Sequence, residues 1–451
     1  MSGRAPLAVW LYGTPLATVY EDGKGQGNQD AIHLDWTTDA YERWGDNSRV
    51  MSQLLPITAP GRGAFPHPRK VKVFIDGLLP EGNARTNYGM SVGVPEEDTY
   101  GLITHYGRDT AGALVFQPVD LAAPVRLGHY EPITSADVGE RLLQADSYNP
   151  TDHGERGDES ISLAGMQPKI GVHRDGEHWF ACKEGAPSTW IIKLAHPKGS
   201  RAEDVIDTEV LCLGLARTLG LTTVAAEVID FGGVRGIAVR RYDRTDTDPI
   251  ERIHQEDLAQ ALGINTQDPR RKFQRGNRTP SLREAVDVLR GGLGSPEDLL
   301  RLVTFNHLIG NTDFHAKNLS VLRLEDGRAE LSPAYDMAMH MHHVGGERLS
   351  ALDINGKYRM ADISVDDLIA EALSWKSFGE RVAVRLVTET ADALADALVD
   401  LDLTQYPGVR PVATKTVDER VAAARADLAN RAARAAVATA PSTRRRGPRR
   451  R

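Results

Sequence analysis

The chain has 451 residues, 41% of them apolar, a formal net charge of -8 and two cysteines. That length suggests two or three domains around conventional cores, and two cysteines without metal-ligand spacing exclude a disulfide framework and fit a reducing cytoplasm. No apolar run is long enough to span a bilayer, and the acidic balance argues against a body that binds nucleic acid as a whole.

The start, "PLAVWLYGTPLATVYEDG", makes a poor signal peptide, having one early Arg4 and no clear cleavage site. It reads as two strands about a Gly-Thr-Pro turn, and "AIHLDW" and "VKVFIDGLL" also read as strands. Residues 1–125 are therefore expected to form a β-rich domain with few helices. From 118 to 160 the sequence turns polar, and "QADSYNPTDHGERGDES" predicts a mobile connector. "PKIGVHRDG" and "HWFACKEG" predict a hairpin turning at Asp175-Gly176. "TWIIKLA" is a buried strand carrying Lys193. In "RAEDVIDTEVLCLGLARTLGL" the residues Val205, Val210, Leu213 and Leu219 keep helical period up to a stop at Gly220. "AAEVIDFGG" and "RGIAVRRYD" are two more strands. From about 251 the pattern is mainly helical.

In that part "EDLLRLVTFNHLIG" puts Leu299, Leu302, Phe305 and Ile309 on one face and ends at Gly310. "LSVLRLEDGRAEL" predicts two short strands about Glu325-Asp326-Gly327, and "DERVAAARADLANRAARAAVA" is a strong helix former. The expected division is 1–125, a β-rich domain; 126–242, a small lobe; 243–435, a helical lobe; and 436–451, a disordered basic tail. Six of the last eight residues are arginines, which leaves the rest of the chain near -14. Such a block is either a solvated tail or a contact for nucleic acid.

The chemistry gathers where the small lobe meets the helical one. After Gly310, Asp313 and Asn318 lie five positions apart in a loop, and Asp336 follows the short hairpin. Protein kinases use this order: an Asp accepts the hydroxyl proton of the substrate, and Asn and a later Asp supply oxygens to Mg²⁺. Read alone, the same loop is a set of turn formers. Upstream, Ser162, Leu163, Ala164 and Gly165 form a small-residue loop ahead of the strand that starts near Lys169, suited to bringing backbone N–H groups to phosphates. With a single glycine it also reads as an ordinary turn. Lys193 within an apolar strand needs a partner or a route to water, and Glu209 on the next helix is a candidate partner. Loop, strand lysine, helix glutamate, two strands, Asp-x4-Asn, hairpin and Asp occur in kinase sequence.

"SLAGMQPK", "WIIKLAHP", "VRRYDR", "QEDLAQALG", "NHLIGNTDFHAKNLSVL" and "SPAYDMA" resemble the signature segments of the HipA family, and "FIDGLLPEGNAR" and "GRDTAGAL" resemble that family's amino-terminal domain. The likeness runs to about residue 400 and leaves out the arginine tail. It implies an α+β, protein-kinase-like bilobal fold and an ATP- and Mg-dependent serine/threonine kinase, the toxin of a toxin–antitoxin pair. Its implied partners are a helix-turn-helix antitoxin (HipB-like), DNA through that antitoxin, and a protein substrate such as an aminoacyl-tRNA synthetase. Asp313 is then the catalytic base, Asn318 and Asp336 the metal ligands, and Lys169, Lys193 and His315 neighbours of the phosphates, with Glu209 supporting Lys193. Ser162 is the autophosphorylated serine of the phosphate loop. Backbone from Arg240 to Tyr242 lines the adenine pocket, although the family often has an acidic residue where Arg240 stands. Two other functions stay open: a nucleotide-binding scaffold that serves as co-repressor, and a kinase of small molecules.

Overall fold

The computed structural model describes residues 4–22, 32–61, 65–124, 128–146, 167–276, 279–343, 345 and 348–439. The chain opens with β1 (Leu7–Leu11), β2 (Thr14–Glu21) and β3 (Ile32–Trp36), then α1 (Thr38–Trp44), α2 (Pro68–Leu78), α3 (Gly82–Val92), α4 (Thr99–Tyr106) and β4 (Val115–Pro118). The strands form an antiparallel sheet ordered β3-β2-β1-β4. Leu7, Val9 and Leu11 alternate inward, as the period-2 pattern requires. "VKVFIDGLL", expected as a strand, is most of α2. Pro68 opens that helix, and Val71, Phe74, Ile75 and Leu78 recur at helical spacing on its buried side. Val71, Lys72 and Val73 alternate like a strand and Val73–Ile75 run on apolar, but Arg69, Lys72 and Asp76 recur at helical spacing and Lys72 pairs with Asp76 one turn on.

The next unit holds β5 (His129–Ile133), α5 (Ser135–Asp146), β6 (Lys169–Asp175), β7 (His178–Lys183), β8 (Trp190–Leu194), α6 (Val205–Thr218), β9 (Ala226–Phe231) and β10 (Val234–Arg240). Its six strands run in the order β5-β7-β6-β8-β10-β9. The β6–β7 hairpin forms as expected, but Asp175 pairs with His178, so the turn is Gly176-Glu177, one residue on. α5 covers one face, with Val138 and Leu142 against Val172, Ile192 and Ala238. α5 and β5 lie in a stretch read only as polar, since β5 is largely exposed and carries no apolar alternation. Residues 147–160 of the expected connector lie outside the described residues.

The other face of this sheet meets α6 and the last unit. That unit holds β11 (Gln255–Asp257), α7 (Leu258–Ala261), α8 (Leu282–Arg290), α9 (Pro296–Ile309), β12 (Ser320–Arg323), β13 (Ala329–Leu331), β14 (Leu349–Ile354), β15 (Lys357–Arg359), α10 (Val365–Ser374), α11 (Glu380–Val399) and α12 (Pro411–Thr439). Leu299, Leu302, Phe305 and Ile309 of α9 enter one continuous core with Ile237 and Val239 of β10, Leu386 of α11 and Val417 of α12. Both cysteines are buried and unbridged. No helix among the described residues is long and apolar enough to cross a membrane. Arginines 444–446 and 449–451 of the tail lie outside the described residues.

Candidate active site

The loop after α9 is set by the end of that helix. Gly310 takes a left-handed conformation (φ 75°) and bonds back to Asn306 and His307. A Cβ there would meet Met341 Cγ at 2.6 Å, so the position has room only for glycine. Asn306 donates to the Leu302 carbonyl and accepts from Asn311 (2.7 Å), and Asn311 in turn accepts from the Asp313 N–H (2.9 Å). Two asparagines thus carry the helix's register into the loop. Asn318 spends its side-chain NH₂ on the Asp313 carbonyl (2.9 Å), which leaves its oxygen as the group suited to a cation.

Lys193 is the hub of the cleft. Its Nζ donates to Glu209 Oε1 at 2.7 Å and to Asp336 Oδ1 at 2.6 Å. The expected Lys193–Glu209 pair is therefore present, and Asp336 joins it. Glu209 is buried on α6, and Asp336 has a positive φ of 54°, a conformation that Asp tolerates better than most residues. Burial works against the Lys193 charge, but Asp336 and Glu209 outweigh it and hold the ammonium firmly protonated. Burial likewise opposes ionisation of Asp336, yet Lys193 and Lys169 keep its carboxylate well below the usual range. Burial pushes Glu209 up.

Lys169 stands opposite Lys193 across the β6–β8 pair. Like charges set opposite one another in a sheet repel. Burial, then the Lys193 charge, bring the Lys169 ammonium down to about 8. The side chain of Asp313 is half open to the cleft (50% exposed). Even so, burial of its carboxyl and the nearby charge of Asp336 push its pKa up to about 7, against opposing pulls from Lys272 and Lys193. His315 Nε2 lies 3.8 Å from Asp313 Oδ1 and its ring meets Phe273 edge-on at 5.1 Å. Burial and Lys272 lower His315 to about 3, so it is a neutral neighbour of Asp313.

The structure thus gathers Lys169, Lys193, Glu209, Asp313, His315, Asn318 and Asp336. Tyr242 sits nearby, its ring 5.6 Å from that of Tyr335 and its hydroxyl on Gln255. The side chain of Arg240 points away from this cleft, which leaves its backbone, the part expected at the adenine pocket, at the end of β10 beside Tyr242. The guanidinium lies on the sheet face opposite Lys193, paired with Asp246, beside a separate cavity of about 750 Å³ that also takes in Tyr130, His173 and Trp190. Alternation along β10 decides this, since Ile237 is the residue opposite Lys193 and Arg240 falls on the other parity. Ser162, Leu163, Ala164 and Gly165 lie outside the described residues.

Sequence reasoning missed two lysines. Lys317 is buried and reaches the Gly77 carbonyl (3.1 Å), Asp257 (3.0 Å) and Glu81 (3.3 Å), so the loop is braced by the amino-terminal unit. Lys272 lies 3.8 Å from Glu81 and its charge acts on Asp313. Glu81, an acid that closes the apolar run in "GLLPEGN", was the available signal for a buried cation partner.

The HipA N-terminal domain matches residues 7–117 and the HipA-like C-terminal domain residues 161–401. Y4mE of Sinorhizobium fredii, a protein named as a candidate kinase, is 30% identical over 85% of this chain and 91% of its own. The serine/threonine-protein kinase toxin HipA of Shewanella oneidensis is 27% identical over 72% of this chain and 76% of its own. The solved complex of Shewanella oneidensis HipA, HipB and operator DNA superposes with a TM-score of 0.74 at 22% identity, covering 94% of this chain and 97% of that one. The fold is therefore the α+β fold of HipA, and with both of the family's domains matched in order along most of its length, the chain belongs to the HipA family.

Proposed function

We propose that this chain is an ATP-dependent kinase that phosphorylates serine or threonine in a protein, and that it is the toxin of a toxin–antitoxin pair. The observation that carries this reading is the Lys193 bridge to both Glu209 and Asp336 beside the Asp313 carboxylate, which faces the cleft half exposed. Two ammoniums, Lys169 and Lys193, opposed across the β6–β8 pair, suit the polyphosphate of ATP. Asp313 takes the proton of the attacking hydroxyl as the new O–P bond forms and the bond to the leaving nucleoside diphosphate breaks. A base with a pKa near the working pH suits that task. The carboxylate of Asp336 and the carboxamide oxygen of Asn318 are hard donors that suit Mg²⁺, which would neutralise phosphate charge there.

The named relatives support the kinase class, and the solved HipA–HipB–operator complex supports a HipB-like antitoxin that carries the chain to DNA. An aminoacyl-tRNA synthetase as substrate and autophosphorylation at Ser162 complete the proposal. A phosphate on Ser162 would repel ATP phosphates and switch the enzyme off. The test is mass-spectrometric phosphate mapping of the purified chain after incubation with ATP and Mg²⁺, beside Asp313→Asn. Phosphate on Ser162 of the native chain alone is expected. Equal phosphorylation of both proteins would remove Asp313 as the base, and none on either, with an added protein substrate also untouched, would remove the kinase.

A further inference from the structure

We propose that Asp204 is a positioning residue of the phosphoryl-transfer site: its clamp on His342, His343 and Arg410 fixes the start of α6 to the segment after Asp336 and thereby places Glu209 on Lys193. The proposal rests on the kinase reading and deepens it.

Asp204 is the N-cap residue of α6, yet its side chain caps no N–H of that helix. An N-cap Asp ordinarily does so. Here both carboxylate oxygens are taken by distant groups. Oδ2 accepts from His342 Nε2 (2.9 Å) and Arg410 Nε (2.7 Å), and Oδ1 from His343 Nε2 (3.0 Å) and Arg410 Nη2 (2.8 Å). The Asp204 and His342 side chains keep only 3% and 1% of their surface. Charge-assisted bonds of this kind, with a two-pronged arginine, hold geometry more tightly than neutral ones. Asp, two His and the site's enclosure also make a donor set that a divalent metal could use, the three ligand atoms lying within 4.8 Å of one another. Arg410 already brings a cation to both oxygens, so the structure assigns a clamp made of protein groups alone.

The clamp sits where it controls the cleft. Glu209 follows Asp204 by five residues, roughly 7.5 Å along α6. His342 follows Asp336 by six residues. Between them, Met339 N–H donates to Thr208 Oγ1 (3.3 Å) on α6, while His340 bonds to Gly310 and, through Nδ1, to the Thr312 N–H (3.2 Å). One short strap therefore touches α6 on one side and the Asp313 loop on the other. Loosening Asp204 frees the helix end that carries Glu209 and leaves Lys193 shared unevenly between Glu209 and Asp336.

The experiment is a double-mutant cycle on phosphoryl transfer in the full chain, with Asp204→Asn, Glu209→Gln and both together. Asp204→Asn should lower kcat roughly tenfold, as small displacements of reacting groups do. In the Glu209→Gln background the same change should cost less than about twofold, because the two act through one contact. An equal loss in both backgrounds overturns the proposal. His343→Gln, which keeps a donor, should retain activity, and His343→Leu should lose it; equal activity of the two also counts against the clamp. Amide hydrogen exchange supplies a readout independent of catalysis. Asp204→Asn should raise exchange at 205–210 and at 337–343 together, and a rise in only one of them refutes the coupling. A native chain that transfers no phosphate overturns the kinase reading, whereas the exchange result decides the clamp by itself.

Discussion

Replacing Lys193 with Met removes the cation between two carboxylates. Glu209 keeps only 3% of its side-chain surface and Asp336 keeps 41%. Breaking a buried ion pair by deleting one partner costs about 3–5 kcal/mol, because the other charge stays in a poor dielectric. Asp336 is exposed enough to recover part of that loss by hydration, so the expected cost is near the lower end, about 3 kcal/mol. Adding Glu209→Gln should return about 1–3 kcal/mol of it, the range for residues in direct contact. The assay is urea unfolding followed by tryptophan fluorescence on the four proteins of the cycle. The pH dependence carries a sign. Burial raises Glu209 above its unfolded value, and without Lys193 the rise is larger. A group whose folded pKa is raised binds its proton more tightly in the native state, so the single variant should regain stability as the pH falls from 8 to 5. Additive costs in the cycle, or a variant that weakens as the pH falls, would refute the reasoning.

Four further outcomes follow from the site and its supports. The initial rate of phosphorylation should fall below pH 7 and level off above it, because Asp313 must lose its proton to act and its pKa is raised to about 7; a flat profile from 5.5 to 8.5 places the proton acceptor elsewhere. Gly112→Ala should destabilise by roughly 2–4 kcal/mol, since φ is +80° and the new Cβ would lie 2.7 Å from His254 Nδ1 and 2.8 Å from the Gln255 nitrogen. Gly176→Ala, with φ +56° but open space, should cost only about 1 kcal/mol in the same unfolding assay. Asp109→Asn should cost about 3–5 kcal/mol, measured in the same way, because Arg241, Arg244 and Arg252 all lean on its fully buried carboxylate.

What the sequence disclosed was set by locality. Helix α9 and the start of the Asp313 loop were legible because four apolar residues at helical spacing and one glycine determine the helix and its end, and the Asn306–Asn311–Asp313 bonds that begin the loop are local; its bracing by Lys317 is long-range and was not. Lys193 and Glu209 were legible as a pair because a charged residue in an apolar strand must find a partner nearby. Helix α2 was misread because Val71, Lys72 and Val73 begin like a strand, although Lys72 and Asp76, four positions apart and paired, carried the helical period. The side of the sheet on which Arg240 falls depends on strand register, which only pairing sets. The Asp204 clamp joins positions 204, 342, 343 and 410, and nothing local in the sequence links an N-cap aspartate to an arginine 206 positions away.

The same long range separates the amino-terminal unit from an ordinary appended domain. "GRDTAGAL" and "VRRYDR" lie far apart in sequence yet meet in one buried network. Asp109 accepts from Ser188 and Arg244, Asp243 accepts from Arg241 and from the Gly112 N–H, and Arg241 and Arg244 also reach backbone carbonyls at Thr110. A second junction runs through Glu256, which is held by Ser52 and the Gln53 N–H on one side and by Arg323 of β12 on the other. A third is Lys317, whose ammonium joins the Asp313 loop to Gly77 and Glu81. Buried charges at these places are tolerated only while their partners stay. The amino-terminal unit therefore completes the support of the segment that follows β10 and of the catalytic loop. Any partner that seats on it is joined through Lys317 to the loop that holds Asp313.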